Sequence, residues 1–418
     1  MSSQNKNQPL FEDGDIIPKS QIFKVGSLAC FFAFFLAVSF CVTGLVSPQI
    51  ADNFGIDVSH IVRIDVLTVI GIAIGCGFSG KILQKLGCRK VLVILAIALF
   101  FAQILIALQN SLILYAAGVA ITGFLIGLGT TTLTFLIVAA YKALQKSDAK
   151  LTFMNFFQAA GGILGSSLFG FVVFHSDWRW GFVTSGIIYL IIGIVVLAIK
   201  FDEKLDSQIE NKEEGKNLVK EKSITLGVVL VALALVSYVY IEYIVDYWWS
   251  PILQLNLHYN IQTVGFVMSV WAGSLAGGRL FFGNFVLSKM KSHKFLYSSG
   301  VAIIITYLAF LCFHSNLALV FILTAAIGVS CSAVSPTAFS FGLKQTKNLS
   351  KITTAFLATA GTLGGISSML VSSSVSIDFH NRLALVYLGP IVCVIFLFFI
   401  FMAERYRKAH LGDNKDNA

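Results

Sequence analysis

Charge is scarce in this chain. Asp, Glu, Lys and Arg together make up 12% of its 418 residues, where soluble domains carry about 25%. A surface solvated by water on all sides is thereby excluded. The groupings that carry chemistry are missing too. The seven histidines, His60, His175, His258, His293, His314, His380 and His410, lie in gaps, at run ends or in the tail. None belongs to an HExxH pair or another metal-ligand spacing. There is no GxxxxGK[ST] phosphate loop, so ATP is not the expected energy source. The seven cysteines, at 30, 41, 76, 88, 312, 331 and 393, contain no CxxC and mostly fall in apolar runs. They read as small buried hydrophobes. No catalytic residue, metal site or cofactor is expected, and an enzyme is not.

What is abundant is apolar. The chain is 56% hydrophobic, with 37 Phe and 35 Gly, which suits lipid-facing bulk combined with close helix contacts. A helix of about 20 apolar residues matches the hydrocarbon thickness of a bilayer. Twelve such runs occur, at 24–47, 61–80, 91–109, 112–140, 152–174, 181–199, 224–249, 262–287, 295–313, 316–343, 353–375 and 383–403. The first 22 residues, with Pro9 and Pro18, lack the order of a signal peptide. The first run is therefore expected to stay as a true span.

Twelve spans place both chain ends on one side. Basic residues, which favour the cytoplasmic side of short loops, indicate which. Alternate gaps hold Lys81, Lys85, Arg89 and Lys90, then Lys142, Lys146 and Lys150, then Lys289, Lys291 and Lys294, then Lys344, Lys347 and Lys351. With the 200–222 gap and the tails, 26 of the 30 Lys and Arg lie on that side. The other side holds Arg63, Arg179 and Arg382. Both termini are expected in the cytoplasm. The formal charge of +9 is spread over loops rather than gathered on one face, so no nucleic-acid partner is expected.

The organisation follows: a tail at 1–23, a six-helix half at 24–199, a charged linker at 200–222, a second half at 223–403 and a tail at 404–418. The halves look alike. Ala160-Gly161-Gly162-Ile163-Leu164-Gly165 in span five aligns with Ala360-Gly361-Thr362-Leu363-Gly364-Gly365 in span eleven, at an offset of 200. The expected fold class is all-α integral membrane, with 12 transmembrane helices in two parallel six-helix halves. Many secondary transporters share this design, with a site between the halves near mid-membrane.

Gly80, Gln84, Lys85, Gly87, Arg89 and Lys90 follow span two. Their pattern resembles the loop signature of the major facilitator superfamily, with Gln84 where that family usually has Asp. In the second half, Tyr240, Glu242, Trp249 and Pro251 of span seven resemble the fucose–proton symporter branch. So do Trp271, Ala272, Gly273, Gly278 and Arg279 of span eight, and Ser335-Pro336-Thr337 of span ten. Asn155 and Gln158 stand in span five where that branch often has an Asn and a polar ring or amide. The acids that sugar-transporting members use in spans one and four have no counterpart here. The resemblance implies the twelve-helix fold and solute transport.

An ionisable side chain inside lipid is a functional candidate, because it faces a cavity or a partner. Glu242 and Asp246 share one face of span seven at spacing i, i+4. Two carboxylates so close repel, so one is expected to hold a proton. Both are candidates for proton coupling. Asn155, Gln158, Trp271 and Arg279 are candidates for substrate binding, against interhelical hydrogen bonding and packing as the alternatives. By helical rise, Arg279 lies toward the cytoplasm and Glu242 toward the outside, so no direct bridge between them is expected. Arg63 and Asp65 read as a surface pair. Tyr247, Trp248 and Trp249 read as an interfacial aromatic belt. Pro336 is expected to kink span ten, as a hinge.

The expected function is alternating-access transport of a small polar solute, sugar-like first, coupled to protons. An amino-acid or other metabolite transporter and a drug exporter stay open, as does a transport-dead membrane sensor. The expected partners are the solute, protons and the lipid bilayer. A monomer is expected, in a cell membrane, the inner membrane of a bacterium.

Overall fold

The computed structural model describes residues 19–141, 147–199, 224–287, 289–346, 351–379 and 382–411. The 200–222 linker, residues 1–18 and 412–418, and Lys142, Lys146 and Lys347 lie outside the described residues. Among the described residues every regular element is helical, and twelve helices are long and apolar enough to cross a membrane.

Span one is Lys19–Phe54, span two Val58–Leu86, span three Cys88–Leu108, span four Leu112–Tyr141, span five Ser147–Phe174 and span six Arg179–Ala198. Span seven is Leu226–Pro251, continued by a π-helical turn Ile252–Asn256. Span eight is Ile261–Phe281, continued by a π turn Phe282–Val286. Span nine is Ser292–Phe313. Span ten is broken into Leu317–Cys331 and Val334–Leu343. Spans eleven and twelve are Lys351–Phe379 and Ala384–Leu411.

Several helices outrun the apolar stretches that mark them. Apolar residues report the part in hydrocarbon, but backbone hydrogen bonding continues until a cap ends it. Asp57 caps span two, Thr225 span seven and Asn260 span eight, each accepting from a backbone N–H in the first turn.

The packing repeats. Spans two and four, one and five, and three and six pair in the first half. Eight and ten, seven and eleven, and nine and twelve pair in the second. Adding six to each number maps one set onto the other. Between the halves, five packs on eight and eleven on two, a pair that exchanges under the same mapping, while span one meets span seven. The glycine runs seen in the sequence make this possible. A Cβ at Gly161 would lie 2.0 Å from the Phe34 carbonyl of span one, and one at Gly364 would lie 2.6 Å from the Val236 carbonyl of span seven. Spans five and eleven thus lie backbone to backbone on their partners.

Candidate functional site

Span seven is the buried axis of the second half. Its aromatic run points inward. Trp248 and Trp249 are fully buried and Tyr247 nearly so. Trp248 Nε1 donates to Ser372 Oγ at 2.6 Å, and Trp249 Nε1 donates to Thr324 Oγ1 at 3.0 Å. The aromatic-belt expectation is therefore corrected. A belt needs rings that face lipid headgroups, whereas spans one, ten, eleven and twelve enclose this helix.

The two acids of span seven lie one turn apart, and span eight meets both. Trp271 Nε1 donates to Asp246 Oδ1 at 2.8 Å. Arg279 Nη2 stands 3.7 Å from Glu242 Oε1, an ion-pair distance. The expectation of no direct bridge is corrected here. It counted helical rise and left out the reach of two long side chains. Arg279 is about half exposed and Glu242 largely buried.

Arg279 has a second duty. Pro336 has no N–H, so the Ser332 carbonyl four residues back loses its helical partner. Span ten breaks at Ser332–Ala333, and Arg279 Nε donates to the Ser332 carbonyl at 3.1 Å. The adjacent Cys331 carbonyl accepts from Tyr238 OH at 2.6 Å. The discontinuity expected at Pro336 is present, and side chains of spans seven and eight satisfy the carbonyls it exposes.

Asp246 opens onto a cavity of about 180 Å3 between the halves. Ala37, Phe40, Cys41 and Gly44 of span one line it, with Gly162 and Ser166 of span five, Tyr247, and Met268, Trp271 and Ala272 of span eight. Asp246 is the one charged side chain in that wall. Of the substrate-binding candidates, Trp271 alone lines it. Gln158 is half-buried one turn nearer the basic loops, and Asn155, nearer still, is exposed.

Toward the end opposite the basic loops the cavity is closed. Pro48 deprives span one of a backbone N–H, and the polar groups around it cross to span seven. Ser250 Oγ and Gln254 Nε2 both donate to the Leu45 carbonyl, at 2.7 and 3.1 Å. Gln49 Nε2 donates to Gln254 Oε1 at 2.5 Å. Beyond this clasp lies a wider vestibule of about 520 Å3, lined by Gln49, Asp52, Asp177 and Gln254 among others. On the same side, Ser167 and Ser269 join spans five and eight at 2.6 Å. Ser59 and Ser376 join spans two and eleven at 2.9 Å, flanked by an Arg382–Asp57 ion pair at 2.5 Å. Burial pushes the Asp57 carboxyl up, but bonds from the Ser59 hydroxyl and N–H, with the Arg382 guanidinium, hold it below the usual carboxylate range.

Asp65 is not a surface residue. It is fully buried, and Tyr115 OH donates to its Oδ1 at 2.7 Å. Arg63 turns the other way and donates to Ser374 Oγ at 3.1 Å. The expected surface pair is corrected: two residues apart on a helix, the side chains point about 200° apart. Sequence reasoning also missed Gln49 and Gln254. The signal was present, as each follows closely on a proline near the far end of its span, in corresponding helices of the two halves.

At the loop after span two, Gly87 adopts φ 75° and ends the helix, and Arg89 Nη2 donates to the Leu197 carbonyl at the close of span six. Gln84 and Lys90 are exposed, and Lys85 with them. Gly80 makes no close approach, since a Cβ there would meet open space. Five of the seven cysteines are buried or half-buried, and Cys76 and Cys312 lie on the outer surface.

Two similar helical bundles, a charged cavity between them and a closure at one end define a membrane carrier. The family model of the Major Facilitator Superfamily matches residues 28–369. The chain belongs to the Major Facilitator Superfamily, and it is a multi-pass membrane transporter. Protein TsgA of Salmonella typhi is 25% identical over 372 residues, covering 88% of this chain and 92% of that protein. Solved structures share the fold at low identity. The inward-open xylose transporter XylE from E. coli superposes with a TM-score of 0.67 at 14% identity, over 92% of this chain and 96% of that one. The nucleoside transporter NupG reaches 0.74 at 13%, over 91% and 99%.

Proposed function

We propose that the protein is a proton-coupled secondary transporter that carries a small polar solute by alternating access. The carrying observation is a charge imbalance. Glu242 and Asp246 stand on one face of span seven, and among the described residues Arg279 is the basic side chain that meets them. With all three ionised, the site is one positive charge short inside a low-dielectric bundle, where an uncompensated charge is costly. A proton on either acid restores neutrality. One half then rocks on the other about the Asp246 cavity, with Pro336 as hinge. The basic-residue asymmetry supports a cytoplasmic basic end, with both termini there. The bonds that close the opposite end then belong to an inward-facing state in a bacterial inner membrane.

The resemblance to the fucose–proton branch and the named substrates of XylE and NupG support a sugar-like or nucleoside-like solute first. A second reading is a small solute bearing a cationic group. It is favoured by Asp246 being the one charged residue in an otherwise mostly apolar, partly aromatic wall.

Thermal-shift screening of the detergent-solubilised protein against sugars, nucleosides, amino acids and amines identifies the solute, because a ligand of the folded form raises its stability. Uptake of that solute into proteoliposomes then tests coupling. Glu242→Gln should abolish accumulation driven by a pH gradient while leaving exchange measurable. Accumulation that survives both Glu242→Gln and Asp246→Asn overturns the proposal.

A further inference from the structure

Asp65 is a fully buried acid that the proton-coupled cycle leaves unused. It lies in span two, in a stretch whose Val62, Val66 and Val69 are buried in the same core as Tyr115 and Tyr247. Its Oδ1 accepts from Tyr115 OH at 2.7 Å. Its Oδ2 is buried without a partner. Among the described residues no cation comes within ion-pair distance.

The position of this carboxyl matters as much as its isolation. Asp65 lies two turns along span two from the Asp57–Arg382 and Ser59–Ser376 contacts with the other half. Three titratable groups meet here. Tyr115 comes from span four, and Tyr247, an electrostatic neighbour of both, comes from span seven of the other half. Span eleven brings serines to this stretch, Ser374 to Arg63 and Ser376 to Ser59. Span one brings the Phe54 ring, 6.4 Å from that of Tyr115. Nothing in this set compensates a negative charge. Tyr247 also lines the Asp246 cavity, so Asp65 sits behind its wall, on the face of span two turned away from span eleven, where Tyr247 of span seven is the neighbour from the other half.

We propose that Asp65 is a second proton-binding site, filled when the halves close over it and emptied when they part. In the closed state a carboxylate would have one donor and no counter-charge in an apolar setting, the costliest way to bury the group. A proton taken from water on the opposite side adds to the carboxylate, giving a neutral acid whose remaining cost is one unmatched hydroxyl. When the halves part at that end and Tyr247 of span seven draws away, water reaches the carboxylate, solvates it, and the proton returns to the same side. Closure of that end therefore takes up a proton that does not pass through Glu242 or Asp246. The inference rests on the alternating-access reading. Proton occupancy at Asp65 is read without any solute, so the two fail separately.

Infrared spectroscopy of the purified protein in liposomes distinguishes a protonated carboxyl from a carboxylate by its carbonyl stretch. At neutral pH the wild type should show a protonated-carboxyl band that Asp65→Asn lacks. Tyr115→Phe removes one hydrogen bond and should shift its frequency. Arg382→Glu sets like charge against Asp57 and shifts the balance toward the open seam, and it should weaken the band in proportion to that shift. Loss of the band should accompany labelling of a Ser376→Cys thiol by a membrane-impermeant maleimide. If Asp65→Asn leaves the spectrum unchanged, Asp65 holds no proton and the proposal fails. If the band persists while Ser376→Cys becomes labelled, the acid is permanently neutral and structural, and the proposal fails equally.

Discussion

Arg279 donates to the Ser332 carbonyl across the gap between spans eight and ten, at 3.1 Å, and that carbonyl is free because Pro336 offers it no N–H. One residue of the charged site thus holds open the break in the helix beside it, while its other end faces Glu242 at 3.7 Å. Arg279→Ala should strand a buried acceptor and lower stability in detergent by about 1–3 kcal/mol. Arg279→Lys keeps the charge but not the fork that reaches both partners, and should recover only part of the loss. Pro336→Ala should act oppositely. It returns an N–H to the Ser332 carbonyl, straightens span ten and raises stability, while solute exchange slows several-fold. Denaturation midpoints and exchange rates on the same preparations check both directions.

Trp248 and Trp249 separate a core from a belt. Trp249 is fully buried, with its ring 4.6 Å from that of Phe310, and it donates to Thr324. Trp249→Ala should cost about 3–5 kcal/mol, the range for emptying a core aromatic site. Trp248→Phe keeps most of the volume but leaves Ser372 without its donor, and should cost about 1 kcal/mol. A ring at a lipid interface would show neither effect.

The Asp57–Arg382 pair predicts an acid response. Burial raises the Asp57 carboxyl, but Ser59 and Arg382 outweigh it, leaving a net lowering. A lowered carboxyl contributes stability that is present above its ordinary value near 3.9 and is lost as pH falls through the folded-state value. The pair should therefore hold from neutrality down to about pH 4 and loosen below that. Asp57 is 43% exposed, so screening limits the pair to about 1 kcal/mol or less, roughly a fivefold shift in the closed population at most. Labelling of Ser376→Cys as a function of pH measures it, and Asp57→Asn should flatten the acid limb.

The fold was legible because its determinants are additive along the chain. Twelve apolar runs and the Gly161/Gly361 offset each state a crossing or a repeat without any knowledge of neighbours. The site was half legible. Glu242 and Asp246 stood out because a charge in an apolar run has few innocuous explanations. Direction was not legible: the same run that carries Asp246 carries Trp248, and only the packing of spans one, ten, eleven and twelve around it shows that these rings are core. Asp65 was misread for a related reason. It lies near a helix end, where charges are ordinarily solvated, but its azimuth turns it onto Tyr115. The reach of Arg279 to Glu242 depended on side-chain length, which rise per residue does not contain.

Gly44 tests the closure itself. A Cβ at this position would lie 2.6 Å from the Asp246 carbonyl, so span one meets the backbone of span seven here with no room for a side chain. The neighbour is backbone and cannot rotate away. Gly44→Val should therefore penalise the closed arrangement by about 1–3 kcal/mol, the usual cost of overpacking. The penalty applies only where spans one and seven touch, so it shifts the balance between states by about 5- to 150-fold. The expected result is strong labelling of Ser376→Cys from the opposite side, with solute exchange reduced because the carrier seldom completes its cycle. Gly77→Ala is the matched control. A Cβ at Gly77 meets open space in span two, and replacing a mid-helix glycine there should stabilise by up to about 1 kcal/mol without changing accessibility. Equal labelling in the two variants would mean that the contact at Gly44 does not govern closure.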